Sequence, residues 1–148
     1  MKSVFAATIA IFALGLTTQS LAADLKAVDP WIPEAPPSAR MLAGYMQLRN
    51  TGDEDIRIVD ARSNALFGRV EIHRSETIDG MSRMRRIPVL EIPAGGEAIL
   101  ERGGLHLMLM RPERVPVSGE TVTIELLNDA DEVILTVEAE VRPRPSED

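Results

Sequence analysis

The segment Leu105–Met110 has the alternation expected of a β-strand that packs one side against a core. Its sequence, LHLMLM, places leucine at every odd position and His106, Met108 and Met110 at the even positions. Because successive side chains of a strand point to opposite faces of a sheet, the leucines are predicted to face the core and the other three residues to point outward. An α-helix would mix the two sets of side chains on its surface, so the segment is predicted to belong to a sheet.

Short runs of the same kind recur along the chain and are separated by turns. Residues 44–49, 56–61 and 69–76 alternate with period two, and Asp79-Gly80 suits a tight hairpin. Residues 91–97 are predicted to form a loop. After the N-terminal segment, no amphipathic helical pattern of convincing length is found. Eight or nine regularly spaced strands therefore predict an all-β protein with a β-sandwich architecture.

The N-terminus has the pattern of a secretory signal peptide. Lys2 is followed by an apolar run over residues 4–16 and by a polar stretch that ends in small residues at Ala22. The run is shorter than the roughly 20 apolar residues of a membrane-spanning helix, and no cysteine follows it, so we expect neither membrane insertion nor a lipid anchor. The alternative is a retained membrane anchor. The predicted division is a signal peptide at 1–22, a β-sandwich domain at 23–141 and a flexible polar tail at 142–148.

Composition excludes several classes of function. The 148 residues contain no cysteine, which rules out thiolate zinc sites, iron–sulfur clusters and blue copper centres. The net charge of −7 argues against nucleic acid as a partner. A nucleophile-elbow motif is absent, and no pair of carboxylates is singled out by its spacing. We therefore predict that the protein is not an enzyme.

The candidate site lies between residues 71 and 110. Both histidines of the chain, His73 and His106, fall in this segment together with four of its seven methionines. Imidazole and thioether groups without a thiolate are typical ligands of a soft metal ion such as Cu(I). Met84 lies across the predicted hairpin from His73, so the two can approach each other. The alternative is that the methionines only fill a core, and the residues alone leave both interpretations open.

The spacing of these residues resembles that of the PCuAC family of periplasmic copper chaperones. His73, Met84, His106 and Met108 form the pattern H-x10-M-x21-H-x-M. The resemblance covers about residues 24–141 and extends to four further stretches, which are VDPW at 28–31, NTGDED at 50–55, VEIH at 70–73 and EIPAGG at 91–96.

The resemblance implies a cupredoxin-like, Ig-like β-sandwich that binds one Cu(I) through His73, Met84, His106 and Met108. It also implies a periplasmic location and delivery of copper to a partner, with cytochrome c oxidase subunit II, which carries a dinuclear copper centre, and Sco-type proteins as candidates. Ser75 stands where many members have methionine, and the tail has neither histidine nor methionine, which makes a Cu(II) site doubtful.

Two questions remain open at this stage. Sequence does not decide whether Met81 or Met110 contributes to the site. The alternative function is a secreted β-sandwich module that binds a protein partner without metal and uses its methionines as contact surface.

Overall fold

The computed structural model describes residues 24–145, so the predicted signal peptide and residues 146–148 lie outside the described residues. The described chain forms eleven strands and one short 3-10 helix at Ala65–Phe67. None of its helices is long and apolar enough to span a membrane. The strands are β1 (Leu25–Pro33), β2 (Met41–Asn50), β3 (Ile56–Ile58), β4 (Asp60–Ser63), β5 (Arg69–Ile78), β6 (Met81–Arg86), β7 (Leu90–Ile92), β8 (Glu97–Leu100), β9 (Leu105–Met110), β10 (Thr121–Leu127) and β11 (Val133–Arg142).

Nine of the strands form one sheet that closes on itself. The strand order is β4-β10-β11-β1-β2-β8-β9-β5-β6, and additional β4–β5 and β2–β9 pairings complete a ring. Strands β3 and β7 form a separate two-stranded sheet. Closure pairs backbone groups that an open sheet would expose at its edges, whereas β6 lies outside the ring and pairs only with β5. The predicted all-β class is confirmed, whereas the cupredoxin-like sandwich stays a prediction.

The structure has more strands than the predicted eight or nine, because one alternating run of the sequence forms two strands that pair with different partners. The run at 56–61 is not one strand but two, since it divides at Val59. Strand β3 pairs with β7, whereas β4 pairs with β10 and β5. Strand β7 begins just before the predicted loop at 91–97 and enters it. At the C-terminus, Arg142 is the last residue of β11 rather than the first residue of the tail, and it pairs with Pro33.

Strand β9 lies inside the closed sheet, between β2 and β8 on one side and β5 on the other. Leu107 and Leu109 belong to the hydrophobic core, as the alternation predicts. The opposite face of β9 is not open, however, because His106 is 4% exposed and Met108 is 6% exposed. The prediction that His106 and Met108 point away from the hydrophobic core is therefore correct, because neither belongs to the core cluster. The prediction that they are exposed to solvent is wrong, because both are buried.

Asn50 joins the end of β2 to the small sheet. Its side chain is buried, and Nδ2 donates to the carbonyl oxygens of Glu54, Ile92 and Pro93 at 2.7, 3.1 and 3.1 Å. Its Oδ1 accepts from the backbone N–H of Gly52 at 3.0 Å. One amide thus bonds backbone groups of the segment after β2 and of the end of β7, and ties the two together.

Replacement of Asn50 by alanine is expected to lower the free energy of unfolding by about 2–4 kcal/mol, because it removes a buried side chain that bonds four backbone groups. Urea unfolding of the variant and the wild type would measure the loss. The neighbouring variant Thr51→Ala, which removes only an exposed hydroxyl bonded to Asp24, should cost less than about 1 kcal/mol. Equal losses for the two variants would contradict the role of Asn50.

Candidate metal centre

The two histidines meet across the β5–β9 pair. His73 is directly opposite His106 in the register, and Glu71 is directly opposite Met108 in the next row. Directly opposed side chains of an antiparallel pair point to the same face, with Cβ atoms roughly 4.5–5.5 Å apart. The two rings have centroids 6.0 Å apart and planes inclined at 62°. Residues separated by 33 positions in sequence, such as His73 and His106, therefore lie in direct proximity.

Met84 joins this face from the other side of β5. It is directly opposite Ser75 in the β5–β6 hairpin and therefore diagonal to His73. Diagonal neighbours are about 7–8 Å apart, which a flexible methionine side chain can span. Met84 is 52% exposed, whereas Met108 is nearly buried. The structure thus places all four predicted residues on one face, with one thioether inside and one at the surface.

Each histidine has one ring nitrogen paired and one unpaired. His73 Nε2 lies 2.9 Å from a carboxylate oxygen of Glu71, and His106 Nδ1 lies 3.0 Å from the carbonyl oxygen of Gly104. The remaining nitrogens, His73 Nδ1 and His106 Nε2, are buried and have no hydrogen-bond partner. A buried polar atom without a partner costs about 1–3 kcal/mol. Two such atoms lie on rings that are directly opposed in the β5–β9 pair, and an ion bound by both would satisfy them.

The geometry fits one metal ion. With metal–nitrogen bonds of about 2 Å, two imidazoles that share an ion have ring centres at most about 6–6.5 Å apart, and the observed separation of 6.0 Å lies within this limit. Among residues 24–145 there is no cluster of three or more His, Cys, Asp or Glu side chains able to hold a metal. Met84 and Met108 lie on the same face as the two histidines, and thioethers select soft ions.

Burial keeps His106 neutral. The loss of hydration lowers the pKa of His106 below its ordinary value, and the nearby His73 ring acts in the same direction. The hydrogen bond to the Gly104 carbonyl oxygen opposes this shift but does not outweigh it. A neutral imidazole has the free lone pair that a metal requires, so His106 stays available to a metal at lower pH than an exposed histidine.

Solved structures of related proteins share this fold. Apo-DR1885 from Deinococcus radiodurans is 31% identical, and the match covers 98% of each chain with a TM-score of 0.62. The Cu(I) form, CuI-DR1885, is 34% identical, with 90% of this chain and 87% of that chain covered and a TM-score of 0.62. The copper-bound PCuAC domain of PmoF2 is 19% identical over 82% of this chain and 94% of that one, with a TM-score of 0.64, and supports the fold alone.

Family comparison agrees with these structures. The family model described as "Putative lipoprotein LpqE-like" matches residues 25–141. The chain belongs to the LpqE-like family. This family is related to PCuAC, and the resemblance found in the sequence is confirmed. A further relative, "Putative lipoprotein Lxx21020" of Leifsonia xyli subsp. xyli, is 28% identical over 134 residues, which cover 82% of this chain and 79% of the relative.

The structure also separates the methionines that sequence analysis left open in this LpqE-like protein. Met81 pairs with Ile78 at the hairpin end and lies on the opposite face of β6 from Met84. Met110 shares the face of His106 but lies two rows away, opposite Arg69 and Met41. Both residues therefore lie farther from the His73–His106 row than Met84 and Met108 do, or on the opposite face.

Glu71 is the site residue that sequence analysis did not identify. Its side chain is only 11% exposed, and the hydrogen bond from His73 lowers the pKa of the Glu71 carboxyl below its ordinary value, with help from Arg69 and Arg86. The carboxylate is therefore ionised at neutral pH. The sequence contains a signal that could have indicated this residue, because an acid two positions before a histidine on a strand shares its face.

Proposed function

We propose that this LpqE-like protein is a periplasmic copper chaperone that binds one Cu(I) through His73, Met84, His106 and Met108. The observation that carries the proposal is the pair of buried, unpaired ring nitrogens on the face that also holds the two thioethers. The 34% identical relative CuI-DR1885 is a Cu(I)-bound protein, which supports the choice of ion. The cupredoxin-like sandwich is the scaffold that we propose for this site.

The ligand set suits a carrier. Imidazole and thioether ligands are neutral, so they stabilise Cu(I) over harder divalent ions and leave the complex positively charged. His106 and Met108 are buried and retain the ion, whereas Met84 is half exposed. A ligand of the recipient can displace Met84 first, and the copper then passes by ligand exchange without a change of oxidation state. We propose no catalytic role.

The destination follows from the resemblance to periplasmic copper chaperones. We propose delivery to the dinuclear copper centre of cytochrome c oxidase subunit II, alongside Sco-type proteins. The relatives described as lipoproteins support export, and we propose that residues 1–22 direct it. Transfer of Cu(I) from the loaded protein to the apo domain of subunit II, followed by the absorbance of the dinuclear centre after oxidation, tests this destination.

The binding step is tested with the anaerobic protein comprising residues 23–148. Mass spectrometry under native conditions is expected to show one copper per chain, and competition with a Cu(I) chelator gives the affinity. If no copper is retained, or if the affinity survives substitution of all four ligands, the proposed site is wrong. Absence of binding would favour the metal-free interaction module.

Substitution of Met84 by leucine is expected to weaken Cu(I) binding at least about tenfold, or about 1.4 kcal/mol. The change removes the thioether and keeps a similar side-chain volume, so the fold should be unaffected. Met81→Leu is the matched control, because Met81 is 55% exposed on the same strand but lies on the opposite face. The control should bind copper within about twofold of wild type. Equal affinities for the two variants would remove Met84 from the ligand set.

A further inference from the structure

We propose that Glu71 is a positioning residue that makes His73 bind Cu(I) through Nδ1, while His106 binds through Nε2. The inference rests on the proposed function, because it concerns the same metal. It adds a residue outside the ligand set and assigns the coordinating atom of each ring.

The Glu71 carboxylate is anchored at both oxygens. Its Oε2 accepts the hydrogen bond from His73 Nε2 at 2.9 Å. Its Oε1 lies 2.8 Å from Nη2 of Arg69 and 3.9 Å from Nε of Arg86. Arg86 also stands directly opposite His73 on β6. Arg69 therefore holds the carboxylate directly, Arg86 adds a longer-range attraction to the same oxygen, and the carboxylate in turn holds the imidazole.

The hydrogen bond decides which nitrogen is free. An ionised carboxylate only accepts hydrogen bonds, so the nitrogen that faces it must carry the proton. In neutral His73 this is Nε2, which leaves the lone pair on Nδ1. That atom is buried and has no other partner among the described residues. It is therefore the nitrogen that His73 can offer to a metal without breaking an existing contact.

His106 is oriented by a group at the corresponding position, two residues earlier and just before β9, but with the other tautomer. The group that fixes it is the carbonyl oxygen of Gly104, two residues earlier, just as Glu71 lies two residues before His73. The same carbonyl oxygen accepts the backbone N–H of Ser75 at 3.0 Å, which holds it against β5. A carbonyl also only accepts, so His106 Nδ1 carries the proton and Nε2 is free. One ring thus depends on a backbone group and the other on the Glu71 side chain.

This difference makes the His73 ring sensitive to a single substitution. Without a carboxylate at position 71, either nitrogen of His73 can carry the proton, and the ring loses its fixed orientation. Residues that orient a metal-binding histidine typically contribute 10–100-fold to metal affinity. A glutamine at position 71 still presents a carbonyl oxygen and should preserve the tautomer, although it loses the attraction to the two arginines.

The first test measures tautomers in the metal-free protein. Long-range proton–nitrogen NMR at about pH 7.5, where an ordinary histidine is neutral, should show His73 protonated on Nε2 and His106 protonated on Nδ1. Glu71→Ala should give a mixture of tautomers at His73 and leave His106 unchanged. Glu71→Gln should keep the wild-type tautomer, and this recovery separates positioning from a general loss of structure.

The second test measures the metal. Chelator competition should show a loss of about 10–100-fold in Cu(I) affinity for Glu71→Ala and a smaller loss for Glu71→Gln. The matched control is Glu76→Ala, which removes an acid of the same strand that pairs with Arg85 on the opposite face. The control should change neither readout. With Ag(I) as a redox-stable substitute for Cu(I), silver–nitrogen coupling should identify Nδ1 of His73 and Nε2 of His106 as the bound atoms.

The outcomes distinguish this inference from the proposed function. If the wild type binds copper through Nε2 of His73, or if Glu71→Ala changes neither the tautomer nor the affinity, the inference is overturned and the chaperone function stands. If the wild type does not bind copper, the proposed function fails, and the role of Glu71 as the group that orients His73 is still decided by the tautomers of the metal-free protein.

Discussion

Replacement of His106 by alanine is expected to weaken Cu(I) binding at least about 100-fold, which corresponds to about 2.7 kcal/mol. The ring supplies Nε2, which is buried and unpaired, while its other nitrogen, Nδ1, donates to the Gly104 carbonyl oxygen and holds the ring, so copper would gain a bond at Nε2 without displacing another interaction. Met108 alone is not expected to compensate, because β9 would then offer the ion one donor instead of two. Chelator competition under anaerobic conditions measures the change.

This variant also leaves a cavity, so a control must separate copper binding from stability. Leu107→Ala alters the adjacent residue of β9, whose side chain points into the hydrophobic core. It should lower the free energy of unfolding by about 2–5 kcal/mol and leave the Cu(I) affinity within about threefold of wild type. His106→Ala should show the opposite pattern. Its Cu(I) affinity should fall, and its NMR spectrum should show that the fold is retained. An affinity within tenfold of wild type in His106→Ala would exclude His106 as a ligand.

Lowering the pH is expected to weaken Cu(I) binding, because protons compete with copper for the imidazole lone pairs. An ordinary histidine has a pKa of about 6.5, so the affinity should be nearly constant above about pH 7.5 and fall at least tenfold between about pH 7 and 5. Burial lowers the pKa of His106, so its share of the loss comes at the lower end of this range. Competition titrations in a pH series, with a chelator of known protonation behaviour, would give the curve.

The variant His106→Met tests whether the imidazole of His106 causes the pH dependence of Cu(I) affinity. A thioether does not bind a proton in this pH range, so protons do not compete with copper for it. This variant should therefore retain a soft donor and show a shallower fall in affinity between about pH 7 and 5. The difference between the two curves then belongs to His106. An affinity of the wild type that does not change over this range would show that neither histidine is a ligand.

Local patterns predicted much of the architecture. Period-two alternation located the leucine face of β9 and the His73 face of β5, and the Asp79-Gly80 turn located the β5–β6 hairpin. These features depend on neighbours within a few residues, which is why the sequence records them. The division of 56–61 at Val59 was not predictable in the same way. Both halves look like strand, and only their distant partners, β7 and β10, distinguish them.

For the candidate site too, the residue types could be predicted from the sequence, whereas their burial and their partners could not. The spacing of two histidines and two methionines identified the residue types that a soft ion needs. It did not indicate that His106 and Met108 are buried while Met84 is half exposed, since burial depends on which strands flank each residue. Nor did it indicate Glu71, whose role depends on the side chains of Arg69 and Arg86 around it.

The amino-acid sequence by itself determined that this chain is all-β, that it has no cysteine thiolate to offer and that its histidines and the neighbouring methionines lie on identifiable faces of identifiable strands. Only the tertiary structure decided that β5 and β9 pair with His73 opposite His106, and that the ring nitrogens left free are Nδ1 of one and Nε2 of the other. The physical reason is that alternation is a property of one strand. Register and hydrogen-bond partners are properties of pairs of strands, and the chain brings those pairs together only when the sheet closes.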